Sequence, residues 1–442
     1  MLSTIVIEAC IFTPQPMSLS LMFKRQLRVI TTLTVLFMLM SCSPQESSNE
    51  KWASPAGDNS VSPNLSLDME GLPILSWMKV DEGLVALQYS RWTGTQWSDP
   101  ITVASGEEWL VNRADFPSVV QLSQSLWAAH WLVMTDPSVF AYDVAISLSR
   151  DGGKTWTDSV APHTDGTFSE HGFVSFFAEG DDIGAVWLDG REMTGGHGKT
   201  VAVEAVGSAI NGMTLRSTKM AFDGSVYEDQ IIDGLVCDCC QTDISATPTG
   251  PIAVFRNRTE DERRDIYFSR MVNGRWMKSK PVAVDDWEIA GCPVNGPSVA
   301  ANRDKTAVAW YTQAKGFGEV KFALSDNGTD VFLTSINVDS GDGVLGQVGL
   351  AAAPEGGFIV SWMTFIEGTA GELRLRYIDN DGVAYAPIVG SKIDMTRKAG
   401  LPQMVLFQDK AVLSWTGGDG SNKTVQVAEM SIDLLQLASL QQ

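Results

Sequence analysis

Ala129-His130-Trp131 lies in a short apolar run, and its pattern returns as Leu75-Ser76-Trp77, Val186-Trp187, Val254-Phe255, Ala309-Trp310, Ser361-Trp362 and Ser414-Trp415. Between Trp77 and Trp415 the aromatic residues are separated by 54, 56, 68, 55, 52 and 53 positions. Even spacing of this length marks structural units that bury their apolar faces only against one another. The surroundings of each copy repeat as well. A small apolar segment comes before it, as in Pro117-Ser118-Val119 and Pro297-Ser298-Val299. A segment ending in Ser comes after it, as in Leu87-Gln88-Tyr89-Ser90 and Ile146-Ser147-Leu148-Ser149. A turn then leads to a last segment of the type Trp97-Ser98-Asp99-Pro100.

Four short strands in a unit of about fifty residues are the sequence form of a propeller blade. Seven units predict an all-β protein, a seven-bladed β-propeller filling residues 52–442 as one domain, with no long helix. The 14 tryptophans and 40 glycines suit short strands joined by tight turns. The last unit runs out after three strands, and Trp52-Ala53-Ser54-Pro55 matches the fourth-strand pattern. An N-terminal strand is therefore expected to complete the last blade and close the ring, because an open ring leaves two unpaired edges.

Acidic residues outnumber basic ones by 53 to 32, a formal charge of −21. Such a field disfavours nucleic acid and anionic lipid as partners of the whole surface, while leaving room for a local basic funnel. At the N-terminus, Lys24, Arg25 and Arg28 precede an apolar stretch from Val29 to Met40 that ends in Ser41-Cys42. This has the form of a secretory signal, and the apolar stretch is too short to span a bilayer. It resembles the lipobox of bacterial lipoproteins, which implies lipidation at Cys42. Ser43 in place of Asp implies outer-membrane sorting. Residues 1–41 are read as the signal region, with translation starting at Met17 or Met22, and residues 42–51 as a lipidated cysteine and polar tether.

Ser149-Arg150-Asp151-Gly152-Gly153-Lys154-Thr155-Trp156 resembles the Asp-box of the sialidase-like propellers, and degenerate copies occupy Ser90–Trp97, Ser269–Trp276 and Ser325–Phe332. Ser149, Asp151, Gly153 and Trp156 are read as a turn device: the carboxylate accepts backbone amides and the glycines supply positive φ. The resemblance implies an exported protein, expected as a monomer, that binds or cleaves an acidic carbohydrate. Hydrolysis of a glycosidic bond is the default, and a polysaccharide lyase or a non-catalytic binding propeller is the alternative. Sialidases have six blades, so a six-bladed ring is the alternative fold. Their F-R-I-P motif has only Phe255-Arg256-Asn257-Arg258 as a counterpart.

The ligand face of a propeller is built from loops entering the inner strands and leaving the second strands. By that rule Arg113, Arg191, Arg256, Arg258 and Arg397 are candidates to grip an anionic group, since guanidinium binds carboxylates bidentately. Arg256 and Arg258 could equally pair with Asp265 and Glu260. By resemblance Tyr311 would be a nucleophile, Glu288 its partner, and Asp115 or Asp189 the acid. His171 could bind substrate or serve a lyase as base with Tyr311 as acid; a structural role is the alternative. Cys237, Cys239, Cys240 and Cys292 fall in loops entering adjacent blades. Export favours disulfides, one of them joining the first cluster to Cys292. A copper or zinc site is the alternative, and no other cofactor is expected.

Overall fold

In the computed structural model the described residues are 52–193, 212–394, 400–419 and 422–432. Residues 42 and 397, and the two possible start methionines, lie outside them. All named elements are strands, paired antiparallel in seven separate sheets. The first blade runs Ser60–Leu67, Pro73–Asp81, Leu84–Arg91 and Ile101–Gly106 from axis to rim. The third (His171–Glu179, Asp182–Asp189, Thr214–Met220, Val226–Asp233), fifth and sixth blades repeat this order. The fourth splits its outer position into Arg275–Trp276 and Lys280–Pro281. The second has three strands, Ser118–Gln121, Trp127–Asp136 and Ala141–Ser149, with a single Ile146–Val160 bridge at the rim.

The aromatic residue of every repeat lies on the second strand of its blade. Trp77, Trp187, Trp310 and Trp362 are wholly buried, and Phe255 and Trp131 nearly so. A sheet that is apolar on both faces must be covered on both, and here neighbouring blades provide the cover. Seven apolar clusters result, one at each junction between consecutive blades. The cluster between the last and first blades brings Val405, Phe407, Val412 and Val425 against Leu65, Leu75 and Trp77. The seven inner strands line a central channel of about 780 Å³.

The last blade shows three strands among the described residues, Gln403–Phe407, Lys410–Asp419 and Asn422–Ser431. Trp52–Pro55 forms no named fourth strand there, and the pairing is limited to an Asp58–Thr424 bridge. Trp52 instead stacks on Trp92 at 3.8 Å and lies 6.2 Å from Phe407, filling the junction of the first and last blades. The Ser60 hydroxyl accepts the Val425 amide, and the Thr416 hydroxyl accepts the Ser62 amide.

The Asp-box residues make the expected turn. Asp151 Oδ1 accepts the amides of Lys154 and Thr155 at 2.9 Å, while Trp156 Nε1 donates to the Gly153 carbonyl at 3.0 Å. Gly153 has φ of +82°, and a Cβ there would lie 2.1 Å from the Tyr89 hydroxyl.

Candidate functional site

The arginines proposed to grip an anion are mostly committed to the protein itself. Arg256 is buried and donates to three backbone carbonyls: Asn295 at 2.8 and 3.0 Å, Arg264 at 2.6 Å and Tyr311 at 2.7 Å. Its guanidinium also lies 4.9 Å from the centre of the Trp287 ring. Arg258 pairs with Glu262 at 2.5 Å rather than with Glu260. Asp265 accepts the amides of Asp286 and Trp287 and thus shapes a loop instead of pairing with Arg256. Arg191 clasps Asp189 through Nε at 2.8 Å and Nη2 at 2.6 Å, and reaches Asp229 at 3.2 Å. Arg113 is exposed. A triad of arginines open to one substrate carboxylate is not formed by Arg191, Arg256 and Arg258, because a charge buried while the chain folds must find its partner within the chain.

The residues proposed for acid, nucleophile and base are also dispersed. Tyr311 is buried against Trp287, where burial raises its hydroxyl and the Arg256 charge opposes that rise. Glu288 is exposed, and its backbone forms a bridge to Arg263. Asp189 is held by Arg191 and by Trp187 Nε1 at 2.9 Å. Asp115 ties the second blade to the third, its Oδ1 accepting the Phe173 amide at 2.8 Å. Burial pushes its carboxyl up to about 7, against that amide bond and with the Glu170 charge adding to the rise.

A different tyrosine has carboxylic partners. Tyr142, at the start of the third strand of the second blade, lies beside Asp115 and Glu170, and burial with their charges holds its proton well above the usual range. Beside it the loop face gathers five further ionisable residues. His171 opens the inner strand of the third blade, and Asp189 closes the second strand paired with it. Asp143 adjoins Tyr142, while His163 and Asp165 come from the loop between the second and third blades. The His163 and His171 rings stack at 3.8 Å with 15° between their planes. Burial lowers His163, as does the neighbouring His171. Burial also works against charge on His171, but Asp143, Asp189 and Asp165 outweigh it and raise the imidazole. The sequence offered a signal for this cluster: two of the chain's four histidines fall eight positions apart around Asp165.

The cysteines do converge. Cys237 Sγ lies 3.2 Å from Cys240 Sγ and 3.8 Å from Cys239 Sγ. Cys292 Sγ lies 3.6 Å from Asp238 Oδ1, and its thiol also bears on Cys239. No disulfide joins any pair of the described cysteines, and a bond would require about 2.05 Å. Cys237, Cys239 and Cys240 are buried and Cys292 is exposed. Arg264 Nη1 donates to Cys237 Sγ at 3.3 Å and to Asp238 at 3.3 Å. Burial opposes ionisation of Cys237, yet the neighbouring thiols and the charges of Arg264 and Arg256 carry it well below the usual thiol range. Burial raises Cys240, so one thiolate is favoured before a second.

Gln241, next to Cys240, donates to the Ala114 carbonyl at 2.8 Å, and its Oε1 accepts the Gly296 amide at 3.1 Å. One side chain thus links the cysteine loop to the loops entering the second and fifth blades.

No family model and no curated protein matches this sequence. Among solved structures, the chain is similar to an α-L-arabinanase of Penicillium chrysogenum, with 10% identity over 86% of this chain and 97% of that one and a TM-score of 0.46. It is similar to the NanB sialidase of Streptococcus pneumoniae, with 12% identity over 87% and 70% of the two chains and a TM-score of 0.45. The polysaccharide lyase Uly1 matches with 9% identity over 89% and 94% and a TM-score of 0.49.

Proposed function

We propose that this chain is an exported propeller, lipid-anchored through Cys42 at the outer membrane, that binds a soft d¹⁰ cation, Cu(I) or Zn(II), with Cys237, Cys239, Cys240 and Cys292. The observation that carries this reading is the convergence of the Cys237, Cys239 and Cys240 sulfurs at separations too long for disulfides, with Cys292 and Asp238 grouped around Cys239. In a tetrahedral site with metal–sulfur bonds of about 2.3 Å, the ligand–ligand edge is about 3.8 Å, and Cys237 and Cys239 stand at that separation. Thiols in an oxidising compartment are held from disulfide formation when a metal occupies them. Arg264 supports the reading by favouring a thiolate, the ligand form of cysteine. Three buried sulfurs and one exposed sulfur leave the ion reachable through Cys292.

Protein purified without chelator is expected to carry close to one copper or zinc per chain by elemental analysis, lost in Cys237→Ser with Cys240→Ser. Two disulfides in peptide mass mapping, with no bound metal, overturn the reading.

A second reading rests on Tyr142. A tyrosine set between two carboxyl groups has the components for cleaving a glycosidic bond of an acidic glycan, with Asp115 protonated near neutrality as the acid. It requires turnover of a sialoside or uronate substrate that Tyr142→Phe abolishes.

A further inference from the structure

The arrangement of the four cysteines supports chemistry beyond holding an ion. We propose that they form a thiol–disulfide relay: Cys292 reacts with a small soluble disulfide, Cys239 passes the oxidation inward, and Cys237 and Cys240 close into a disulfide. The sulfurs are graded in access as a relay requires. Cys292 is exposed, whereas Cys239, Cys237 and Cys240 are 7%, 1% and 2% exposed. A disulfide arriving from solution therefore meets Cys292 first. Asp238 Oδ1 accepts the Cys292 thiol at 3.6 Å, and this oxygen with the sulfurs of Cys292 and Cys239 lies within a 4.8 Å group. Cys237 Sγ is 3.8 Å from Cys239 Sγ and 3.2 Å from Cys240 Sγ. Each transfer thus spans a few ångströms, a range that rotation about the Cα–Cβ bonds can close.

The end of the relay is selected by spacing. In Cys237-Asp238-Cys239-Cys240 the first and last residues form a C-x-x-C pair, the separation found in dithiols that open and close reversibly. Their sulfurs, 3.2 Å apart, need to approach by about 1.2 Å to reach the bond length of about 2.05 Å. Arg264 is held by Glu262 at 2.8 Å through Nη2, and its Nη1 donates to Cys237 Sγ at 3.3 Å. That hydrogen bond stabilises charge on Cys237 each time it attacks or leaves, and a stabler leaving sulfur departs faster.

The exchange moves two electrons and two protons. The Cys292 thiolate attacks R–S–S–R, forming a mixed disulfide and releasing RS⁻. Cys239 attacks Cys292 Sγ in that mixed disulfide and releases the second RS⁻. Cys237 then displaces Cys292 from Cys239, and Cys240 displaces Cys239 from Cys237. Two protons end on the two RSH released, and Cys239 and Cys292 end as thiols. Excess RSH runs the sequence backwards. One consequence rests on the metal reading above: closure withdraws two of the four sulfurs, so the closed and ion-bound forms exclude one another.

The assay takes full-length protein, reduced by a phosphine and stripped by chelator, and adds oxidised glutathione in the absence of oxygen. No ion is present, so the outcome is independent of the metal reading. Two glutathiones released per chain are expected, with a Cys237–Cys240 bond in peptide mapping and Cys239 and Cys292 still open to alkylation. Cys292→Ser should slow formation of that bond at least about 10-fold, since the buried thiols then meet the disulfide only through local opening. Cys239→Ser should leave one glutathione held on Cys292. Glutathione retained on Cys292 in the wild type, with Cys237 and Cys240 both alkylated after denaturation, overturns the relay. An unchanged rate in folded Cys292→Ser overturns it equally. The wild-type mapping decides even where a serine variant does not fold.

Discussion

Replacing Arg256 tests whether this residue serves the fold or a ligand. Arg256→Met keeps most of the side-chain length but removes four hydrogen bonds to the carbonyls of Asn295, Arg264 and Tyr311. Each buried carbonyl left without its donor costs about 1–2 kcal/mol. The contact with Trp287, seen at 4.9 Å, adds about 1 kcal/mol. The sum is about 5 kcal/mol. A domain of about 390 residues has an unfolding entropy of about 0.8 kcal/mol/K, so Tm should fall by about 6 °C. Arg256→Lys should recover little of this, because one ammonium does not span three carbonyls in the planar fork that guanidinium provides. Calorimetry or circular dichroism melting reads the effect directly. A Tm within about 1 °C of the wild type, in either variant, refutes the assignment of Arg256 as the tie between the fourth and fifth blades.

Two glycines of the Asp-box separate backbone strain from collision. Gly152→Ala meets open space at φ +78° and should lower Tm by about 1 °C, the effect of strain alone. Gly153→Ala drives a methyl to 2.1 Å from the Tyr89 hydroxyl and should lower Tm severalfold more; equal shifts would show that Tyr89 is not locked there. Asp115 gives a pH dependence. Its folded value near 7 lies above the ordinary 3.8, so the native state binds the proton more tightly than the unfolded chain. That preference weakens the fold as pH rises from about 4 through 7, by up to about 4 kcal/mol in total. Asp115→Asn keeps an acceptor for the Phe173 amide and removes the charge, so its Tm should rise relative to wild type by about 3 °C between pH 5 and pH 8. A gap that does not change with pH rules out a protonated Asp115 near neutrality.

Arg256, His171 and Trp52 show how differently one chain exposes its secrets to a reader of residues. His171 was read as a site candidate from its place before an inner strand, and that place is real. Its neighbours His163, Asp143 and Asp165 escape a reading of residues, because two histidines eight positions apart match no motif and their segments meet only in the fold. Arg256 matched the expectation for a ligand-gripping residue in position and charge. Its burial, and the three carbonyls within reach, depend on how the fourth and fifth blades pack. Trp52 was read as the start of a strand, and it became an aromatic plug at the same junction.

What the amino-acid sequence determines by itself is the number and order of the blades. Strand alternation, an aromatic residue on each second strand and turn residues at fixed offsets are local, and seven repetitions leave little freedom in how they assemble. The convergence of the four cysteines on one face also follows from the loops that bear them. Only the tertiary structure decides which charges are spent on one another and which atoms remain unpaired. Those outcomes turn on distances of a few ångströms between residues far apart in the chain, as with Asp143 and His171 or Arg256 and Asn295, and one-dimensional spacing carries no record of them.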